Sequence, residues 1–411
     1  MRAVVFHGIG DIRLDTVPEP KLKEPTDAIV RLTASAICGT DLHMIRGTMP
    51  GMKAGTILGH EGVGVIEELG RKVTNLAVGD RVVIPSTIAC GDCSYCRDGY
   101  QSQCDNANPN GKQAGTAFFG GPAMTGPFDG LQAEYARVPL AHAGLIKLPD
   151  EVSDDQAILL SDIFPTAYFG AELAEIKPRD TVAVFGCGPV GLFCIASAKL
   201  MNAGQVFAID SLPDRLQAAE GLGAEAIDFN QHDPVATIMK ATNGIGVLRA
   251  IDAVGVDACA PEEGFISSWL PSTERARHRE QVAQVAPVTR PKGDNWIPGN
   301  APSQALDWAV QALCKAGTLS IIGVYPQTAK FFPIGLAMNK NLTVQMGNCP
   351  HRRYIPTLVD MVKNGAIDPL QVLPEQKEPL TDALEAYKEF DRRAPGWIKV
   401  ELKPQEVVAH I

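Results

Sequence analysis

The sequence has neither a basic excess nor a long apolar run, and its start does not predict a secretory signal. Its formal net charge is -10, with 37 Lys and Arg residues against 47 Asp and Glu residues, whereas a surface that binds nucleic-acid phosphates is usually basic. No stretch reaches the roughly 20 apolar residues that a membrane helix requires, and the apolar run after Met1 is too short for a secretory signal. These absences predict a cytoplasmic protein with neither a nucleic-acid nor a membrane partner.

Internal repeats and low-complexity tracts are also missing, so the domain organisation rests on changes of pattern along the chain. At 411 residues the chain is too long for one ordinary core, and two domains are expected. Residues 1–164 carry short β-branched runs between Gly and Pro turn signals, which predicts a mostly β domain. Over 165–346 strands alternate with helical stretches, which predicts an α/β domain with a doubly wound parallel sheet. Residues 347–411 contain helical pieces and a closing strand at 397–402.

The parallel sheet is predicted to have six strands, and one connection between them is unusually long. The strands are expected at 181–185, 205–209, 225–229, 247–251, 318–322 and 341–345. Between Gly255 and Gly317 lie many more residues than one crossover helix needs. Residues 271–304 are rich in Pro, Arg, Gln and Asn, which predicts an irregular insertion at about 256–304.

A glycine turn follows the first of these strands. Gly186-Cys187-Gly188-Pro189-Val190-Gly191 stands between a buried strand and a helical stretch, the context in which G-x-G-x-x-G binds a dinucleotide. Gly186 permits the tight turn, Gly188 the approach of a pyrophosphate, and Gly191 close helix–strand packing. The helix N-terminus offers free N–H groups and a positive dipole. The predicted cofactor-binding residues of this region are Gly186, Gly188, Pro189, Val190, Gly191, Asp210 and Arg215.

Asp210 closes the second strand and selects the cofactor. Its carboxylate can accept from the ribose hydroxyls and would repel a 2′-phosphate, which favours NAD over NADP. Arg215 complicates that choice. The insertion leaves the sheet at the carboxyl end of the fourth strand, where a dinucleotide lies. The apolar residues of the insertion predict a packed lid over the adenosine half of NAD; these residues are Phe265, Ile266, Trp269 and Leu270. A surface elaboration that packs on its own domain fits them equally well.

Four of the ten cysteines fall in one short lobe, 90–104: Cys90, Cys93, Cys96 and Cys104. In a chain without an export signal, such a cluster favours a metal site over disulfides. Four thiolates close a tetrahedral zinc shell and leave no open position, so the predicted role of this zinc is structural.

A second set of metal-binding residue types is dispersed along the chain. Its segments are Cys38-Gly39-Thr40-Asp41-Leu42-His43, Gly59-His60-Glu61 and Ser161-Asp162. Together with the cysteine lobe and the glycine turn, in this order, they resemble the zinc-dependent medium-chain dehydrogenase/reductase (alcohol dehydrogenase) family. The resemblance covers nearly the whole chain outside the insertion. It implies a Rossmann domain plus a GroES-like catalytic domain, to which 347–411 returns.

The resemblance also implies a catalytic zinc, the second per chain. Its ligands would be Cys38, His60 and Asp162, with Glu61 as an alternate ligand and Asp41 as the acceptor that orients His60. Three protein ligands leave a position open for substrate. The family often has a cysteine where this chain has Asp162; an aspartate there is typical of the glutathione-independent formaldehyde dehydrogenases and of some microbial secondary-alcohol dehydrogenases.

The implied reaction is hydride transfer between an alcohol or aldehyde and NAD. Thr40 would take the substrate proton, and His43, at the solvent boundary, would receive it through the nicotinamide ribose. Val324 would lie beside the nicotinamide amide, and Lys399 would contact the pyrophosphate. The resemblance further implies a homo-oligomer, expected to be a tetramer, joined through the edge strand near 341–345.

Two alternatives stay open at this point. One is a glutathione-independent formaldehyde or aldehyde dehydrogenase or dismutase with tightly held NAD, which Asp162, the cysteine lobe and the insertion favour. The other is a catalytically silent relative that binds NAD and zinc. The joint presence of Thr40, His43 and the three zinc ligands argues against the silent relative.

Overall fold

The computed structural model describes residues 1–262 and 272–405. The strands are β1 (Arg2–Gly8), β2 (Asp11–Thr16), β3 (Ala28–Ile37), β4 (Thr56–Ile57), β5 (Gly62–Leu69), β6 (Arg81–Ile84), β7 (Tyr135–Val138), β8 (Ile146–Lys147), β9 (Val182–Phe185), β10 (Val206–Asp210), β11 (Glu225–Asp228), β12 (Val247–Asp252), β13 (Leu313–Ile321), β14 (Thr343–Met346), β15 (Gln376–Pro379) and β16 (Val400–Lys403).

The helices connect and cover these strands. They are α1 (Gly39–Arg46), α2 (Ser94–Arg97), α3 (Ala141–Gly144), α4 (Asp154–Ser161), α5 (Ile163–Leu173), α6 (Pro189–Leu200), α7 (Pro213–Gly221), α8 (Pro234–Ala241), α9 (Ser272–Val285), α10 (Gln304–Ala312), α11 (Ile334–Asn339), α12 (His351–Lys363), α13 (Pro369–Val372) and α14 (Ala383–Asp391). Within 1–262 and 272–405, no helix combines the length and the apolar composition needed to cross a membrane.

The first domain is built on a seven-stranded sheet in the order β15-β16-β3-β5-β6-β8, with β7 also paired to β3. β3 and β5 approach so closely at Gly64 that a Cβ there would lie only 2.3 Å from the Arg31 carbonyl oxygen. β16 pairs antiparallel with β3, with Val400 opposite Ile37. The closing strand therefore brings the end of the described chain back to the first domain.

The second domain contains a six-stranded sheet in the order β11-β10-β9-β12-β13-β14, and its pairings are parallel. The structure confirms the predicted doubly wound fold and its six strands, although β13 begins earlier than expected, at Leu313. Phe185 pairs with both Ile209 and Asp252. The carboxyl ends of β9, β10 and β12 therefore meet at one edge, where such sheets bind their ligands.

The insertion is more regular than its composition predicted. Residues 271–304 were expected to be irregular, but α9 occupies 272–285. This stretch lacks Gly and Pro and is rich in Glu, Arg, Ala and Gln, which are good helix formers. Arg277 pairs with Asp307 at 2.8 Å. The four apolar residues proposed as a lid lie outside the described residues.

The remainder of the insertion reaches the catalytic domain through Trp296. This side chain is 4% exposed and packs in a cluster with Phe6, Leu42 and Tyr387 of the first domain. The backbone N–H of Trp296 donates to Asp391 Oδ2 at 2.7 Å. The insertion thus lies between β12 and β13 of the nucleotide-binding sheet, while its second half is anchored in the other domain at Trp296.

We expect Trp296→Ala to lower the free energy of unfolding by about 3–5 kcal/mol, because a buried Trp leaves a large cavity when truncated. The matched control is Ile297→Ala at the next position, where the side chain is 51% exposed. Thermal unfolding of both variants measures the effect. Equal, small shifts in Tm would contradict the assignment of Trp296 as an anchor.

Candidate active site and metal centres

The cysteine lobe has the geometry of a zinc site. Cys90 Sγ lies 4.0 Å from Cys96 Sγ, and Cys93 Sγ lies 3.9 Å from Cys104 Sγ. Tetrahedral zinc with Zn–S bonds of about 2.3 Å requires sulfur separations of about 3.8 Å. Burial opposes ionisation of Cys90, but N–H donors, led by the Asp92 backbone, lower its pKa to about 7. The four sulfurs therefore fit a structural zinc ion.

The dispersed residues also come together, as a buried cluster. Cys38, His60, Glu61 and Asp162 each offer one ligand atom, and these atoms lie within 4.8 Å of one another. Cys38 caps the N-terminus of α1, His60 and Glu61 directly precede β5, and Asp162 stands between α4 and α5. His60 Nε2 lies 3.1 Å and Cys38 Sγ 3.8 Å from Asp162 Oδ2. Tetrahedral zinc with bonds of about 2.0–2.3 Å requires ligand separations of about 3.3–3.8 Å.

The charges around this cluster favour a bound cation. Burial alone would raise the pKa of Asp162, but hydrogen bonds from His351 and His60 outweigh it and hold that pKa well below its usual value. Burial would likewise lower the pKa of His60, but Asp41 and Asp162 raise it well above the usual value. Asp41 Oδ1 lies 3.2 Å from His60 Nδ1, the position predicted for the group that orients this ligand.

Lys399 was predicted to contact the pyrophosphate, but the structure places it elsewhere. Its ammonium lies 2.6 and 2.7 Å from the two carboxylate oxygens of Glu61, and both side chains are fully buried. The reason is the register of β16, which places Lys399 next to Ile37 and behind the metal cluster. The pair neutralises Glu61 and leaves Cys38, His60 and Asp162 as a donor set whose two anions match the charge of Zn²⁺. The prediction of Glu61 as an alternate ligand stays a prediction.

His351 also belongs to the site, although it was not predicted from the sequence. Its Nε2 lies 2.6 Å from Asp162 Oδ1, and its Nδ1 lies 3.1 Å from Thr87 Oγ1. This bond occupies one carboxylate oxygen of Asp162 and leaves Oδ2 facing His60 and Cys38. The available signal was a histidine shortly after the last strand of the parallel sheet, at the edge where ligands bind.

The glycine turn has the shape that a dinucleotide requires. Gly186 has φ +90°, and a Cβ there would lie 2.5 Å from Val254 Cγ2; a Cβ on Gly191 would lie 1.8 Å from the Gly186 carbonyl oxygen. α6 begins at Pro189, with Val190 in its first turn. The turn opens into a cleft lined by Gly186, Gly188, Pro189, Asp210, Arg215 and, from the first domain, Gly39, Leu42, His43, Arg46 and Arg393.

Asp210 is fixed at the edge of this cleft. Its Oδ2 accepts from the Cys187 backbone N–H at 2.7 Å, and its Oδ1 accepts from the backbone N–H groups of Ser211 and Leu212 at 2.7 and 3.1 Å. The carboxylate is therefore oriented by the glycine turn itself and by the chain that follows β10.

The residues predicted for proton transfer lie on α1, with one difference. Thr40 is partly buried in the first turn, whereas His43 is 4% exposed and not at the solvent boundary. His43 Nδ1 lies 2.7 Å from Thr48 Oγ1. Burial outweighs the Asp257 carboxylate, whose Oδ2 lies 3.3 Å from His43 Nδ1, and lowers the pKa of His43, which favours the neutral imidazole. The Val324 carbonyl, in the loop predicted beside the nicotinamide, accepts from the Val256 backbone N–H at 3.0 Å.

We expect purified protein to contain two zinc ions per chain, and we expect loss of each ion to affect thermal stability differently. Cys38→Ser should remove about one zinc equivalent with little change in Tm, because the other donors of its cluster remain tied into the fold. Cys93→Ser should remove the other equivalent and lower Tm, because the lobe 90–104 depends on its metal. The control is Cys314→Ser, a buried cysteine outside both clusters. Metal analysis with thermal unfolding tests this; zinc-free, active protein would contradict it.

Comparison with known proteins agrees with this geometry. The alcohol dehydrogenase GroES-like domain model matches residues 24–150, and the zinc-binding dehydrogenase model matches residues 189–262. An uncharacterised zinc-type alcohol dehydrogenase-like protein, AdhB of Bacillus subtilis, is 37% identical over 98% of this chain and 100% of its own length. A glutathione-independent formaldehyde dehydrogenase of Pseudomonas aeruginosa is 33% identical over 96% of each chain.

The solved structure of the alcohol dehydrogenase TADH from Thermus sp. ATN1 superposes with a TM-score of 0.77 at 32% identity, covering 98% of this chain and 99% of that one. Similarity at this level runs from end to end and spans both domains and both metal clusters. The chain therefore belongs to the zinc-dependent medium-chain dehydrogenase/reductase family and is a zinc-dependent alcohol or aldehyde oxidoreductase that works with a nicotinamide dinucleotide.

Proposed function

We propose that the reaction runs where α1 joins the metal cluster to the dinucleotide cleft. The observation that carries this proposal is the double role of one short helix. Cys38, at its N-cap, belongs to the metal cluster, and Gly39, Leu42 and His43 line the cleft. A substrate oxygen at the metal and a nicotinamide ring in the cleft would thereby be neighbours, which hydride transfer requires.

Each group supplies one part of the chemistry. Cys38, His60 and Asp162 would hold zinc, which would supply the Lewis acidity that lowers the pKa of an alcohol oxygen. NAD supplies the hydride acceptor. The Thr40 hydroxyl takes the substrate proton and passes it towards His43, where Asp257 Oδ2, 3.3 Å from Nδ1, would stabilise the protonated imidazole. In aldehyde reduction the same residues return the proton.

The preference for NAD over NADP is part of this proposal. Asp210 holds its carboxylate at the end of β10 by three backbone N–H donors, in the position where an acidic residue accepts from the ribose hydroxyls. A 2′-phosphate would meet this negative charge. Arg215 lines the same cleft, but the fixed orientation of Asp210 favours NAD.

We expect Thr40→Ala to lower kcat by about 10²- to 10⁴-fold, the usual loss when a proton-transfer group is removed. Thr40→Ser keeps the hydroxyl and should keep most of the activity. The assay follows NADH at 340 nm on a panel of alcohols and aldehydes, with NADH binding measured separately by fluorescence. Equal activity of the two variants would contradict the role of Thr40 in proton transfer. Separately, equal efficiency of the unaltered protein with NAD and NADP would contradict the preference assigned to Asp210.

A dismutase that retains NAD is a second candidate. The insertion favours it, because Trp296 is bonded to Asp391 of the first domain and Gly299 to Asp257 just after β12, which places the segment beside the cleft that Asp257 lines. The relative from Pseudomonas aeruginosa named a formaldehyde dehydrogenase favours it too. Nucleotide released on denaturing fresh protein, together with equimolar acid and alcohol from one aldehyde, would support it. A catalytically silent relative would hold zinc and turn over nothing on the panel.

We also propose a homo-oligomer joined along β14, the outer strand of the six-stranded sheet. Apolar side chains are exposed there: Ile334 is 71%, Met338 82% and Met346 62% exposed. An uncovered strand edge beside apolar residues favours pairing with a second copy. We expect a dimer or tetramer by sedimentation at micromolar concentration, and Met338→Lys should weaken it. The control is Val78→Lys, at a site 63% exposed in the first domain; a monomeric unaltered protein would contradict the proposal.

A further inference from the structure

The loop that follows β13, residues 322–326, lies between the glycine turn and the metal cluster. Asp210 ends β10, the glycine turn follows β9, and His351, which bonds the carboxylate of Asp162, begins the helix after β14. In the sheet order β10-β9-β12-β13-β14, the ends of β12 and β13 stand between these two features. A dinucleotide with its phosphates at the glycine turn and its reactive ring near the metal would therefore place its nicotinamide half over the loops that follow β12 and β13.

Asp252, at the end of β12, holds this loop. Its backbone carbonyl oxygen accepts from the N–H groups of Ile322 and Gly323 at 3.1 and 2.9 Å. Its buried carboxylate accepts from the Tyr325 hydroxyl, with 2.6 Å between Oδ2 and the phenol oxygen. Burial and the charge of Asp252 raise the pKa of Tyr325 well above its usual value, so the phenol keeps its proton and donates. The loop is therefore tied to β12 at its start and again at Tyr325.

The loop also contacts the turn after β12 directly. Gly255 has φ +72°, and a Cβ there would lie 2.4 Å from the Val324 backbone nitrogen. The Val256 backbone N–H donates to the Val324 carbonyl oxygen at 3.0 Å. The backbone of Val324 therefore has little room to shift unless the turn moves with it.

The insertion supports the same loop from its outer side. Val285, the last residue of α9, and Ala286 are 1% and 6% exposed and form a buried cluster with Val256. Tyr325 packs against this cluster, and its ring meets that of Phe331 edge to face with centroids 6.2 Å apart. The end of α9 therefore packs on the same side chain that ties the loop to β12.

We propose that the insertion serves the nicotinamide half of the cofactor and that Tyr325 is the positioning residue through which it does so. Packing by Val285 and the bond to Asp252 fix the Tyr325 side chain. Tyr325 in turn holds the backbone of Val324, which would face the nicotinamide amide. A loop ordered before the cofactor arrives lowers the entropy cost of binding and orients the ring for hydride transfer. The inference rests on the proposed use of NAD, and it differs from a lid over the adenosine half.

Binding of NADH and of ADP-ribose, which lacks the nicotinamide, tests the two halves of the cofactor separately. Tyr325→Phe removes the bond to Asp252 and keeps the ring. The Kd for NADH should rise about 3- to 10-fold, the range expected for one lost hydrogen bond, while the Kd for ADP-ribose should not change. Val285→Ala should raise the same ratio of the two Kd values by a smaller factor. Titration calorimetry measures both ligands without turnover.

Two controls make the same chemical changes at exposed positions of the first domain. They are Tyr100→Phe and Val78→Ala, at side chains that are 59% and 63% exposed. Neither control should change the Kd for NADH or for ADP-ribose. Thermal unfolding and zinc content show whether each variant keeps its fold.

The outcomes separate the inference from the function on which it rests. If the unaltered protein binds neither NADH nor ADP-ribose, the proposed use of NAD fails. If it binds both, an unchanged ratio of Kd values in Tyr325→Phe overturns the role of Tyr325, and an unchanged ratio in Val285→Ala overturns the role of the insertion. Equal weakening of both ligands by Val285→Ala would place the insertion at the adenosine half and overturn the inference as well. If Tyr325→Phe does not fold, Val285→Ala decides by the same ratio.

Discussion

Lys399 and Glu61 form an ion pair with no exposure to solvent, and three segments of the first domain depend on it. The ammonium bonds both oxygens of Glu61 and also the Ile37 carbonyl oxygen at 3.2 Å. It therefore joins the end of β3, the residue before β5 and the residue before β16. Removing one partner would leave an uncompensated buried charge, which is far more costly than losing a surface pair.

The position of the metal cluster follows from this pair. Cys38 comes directly after Ile37, and His60 directly before Glu61, so two ligands are adjacent in sequence to the residues that Lys399 holds. Asp162 lies between α4 and α5, and its orientation is fixed by the hydrogen bond with His351. Because Lys399 cancels the charge of Glu61, the remaining thiolate and carboxylate balance one divalent ion. The electrostatics of the catalytic site thus rest on a residue that the sequence analysis had placed at the pyrophosphate.

Features encoded over short distances in sequence were predictable, and long-range contacts were not. The glycine turn and the four cysteines each lie within one stretch, so spacing alone carries their geometry. The zinc ligands Cys38, His60 and Asp162 came from the family resemblance, which spans the chain. His351 and Arg393 face the two sites only because distant segments pack there. α9 was missed because the insertion was judged by its overall composition, which hides a stretch free of Gly and Pro.

The insertion connects the two domains that form the site. Trp296 occupies the core of the first domain, and its backbone N–H is bound by Asp391. Asp391 also holds Arg46, which pairs in turn with Asp257 of the second domain. Gly47 is constrained as well, since a Cβ there would lie 2.3 Å from the Val288 carbonyl oxygen.

This coupling changes how the role of the insertion has to be tested. Replacing 271–304 by a flexible linker would remove Trp296 together with any lid, so weaker NAD binding in such a variant would have two explanations. Substitutions that keep Trp296 avoid the problem. Val288 is 52% exposed, and Val288→Asp changes the outer surface of the insertion without touching its anchor. An altered rate of NADH release in that variant, with unchanged Tm, would assign a role in cofactor retention to the insertion itself.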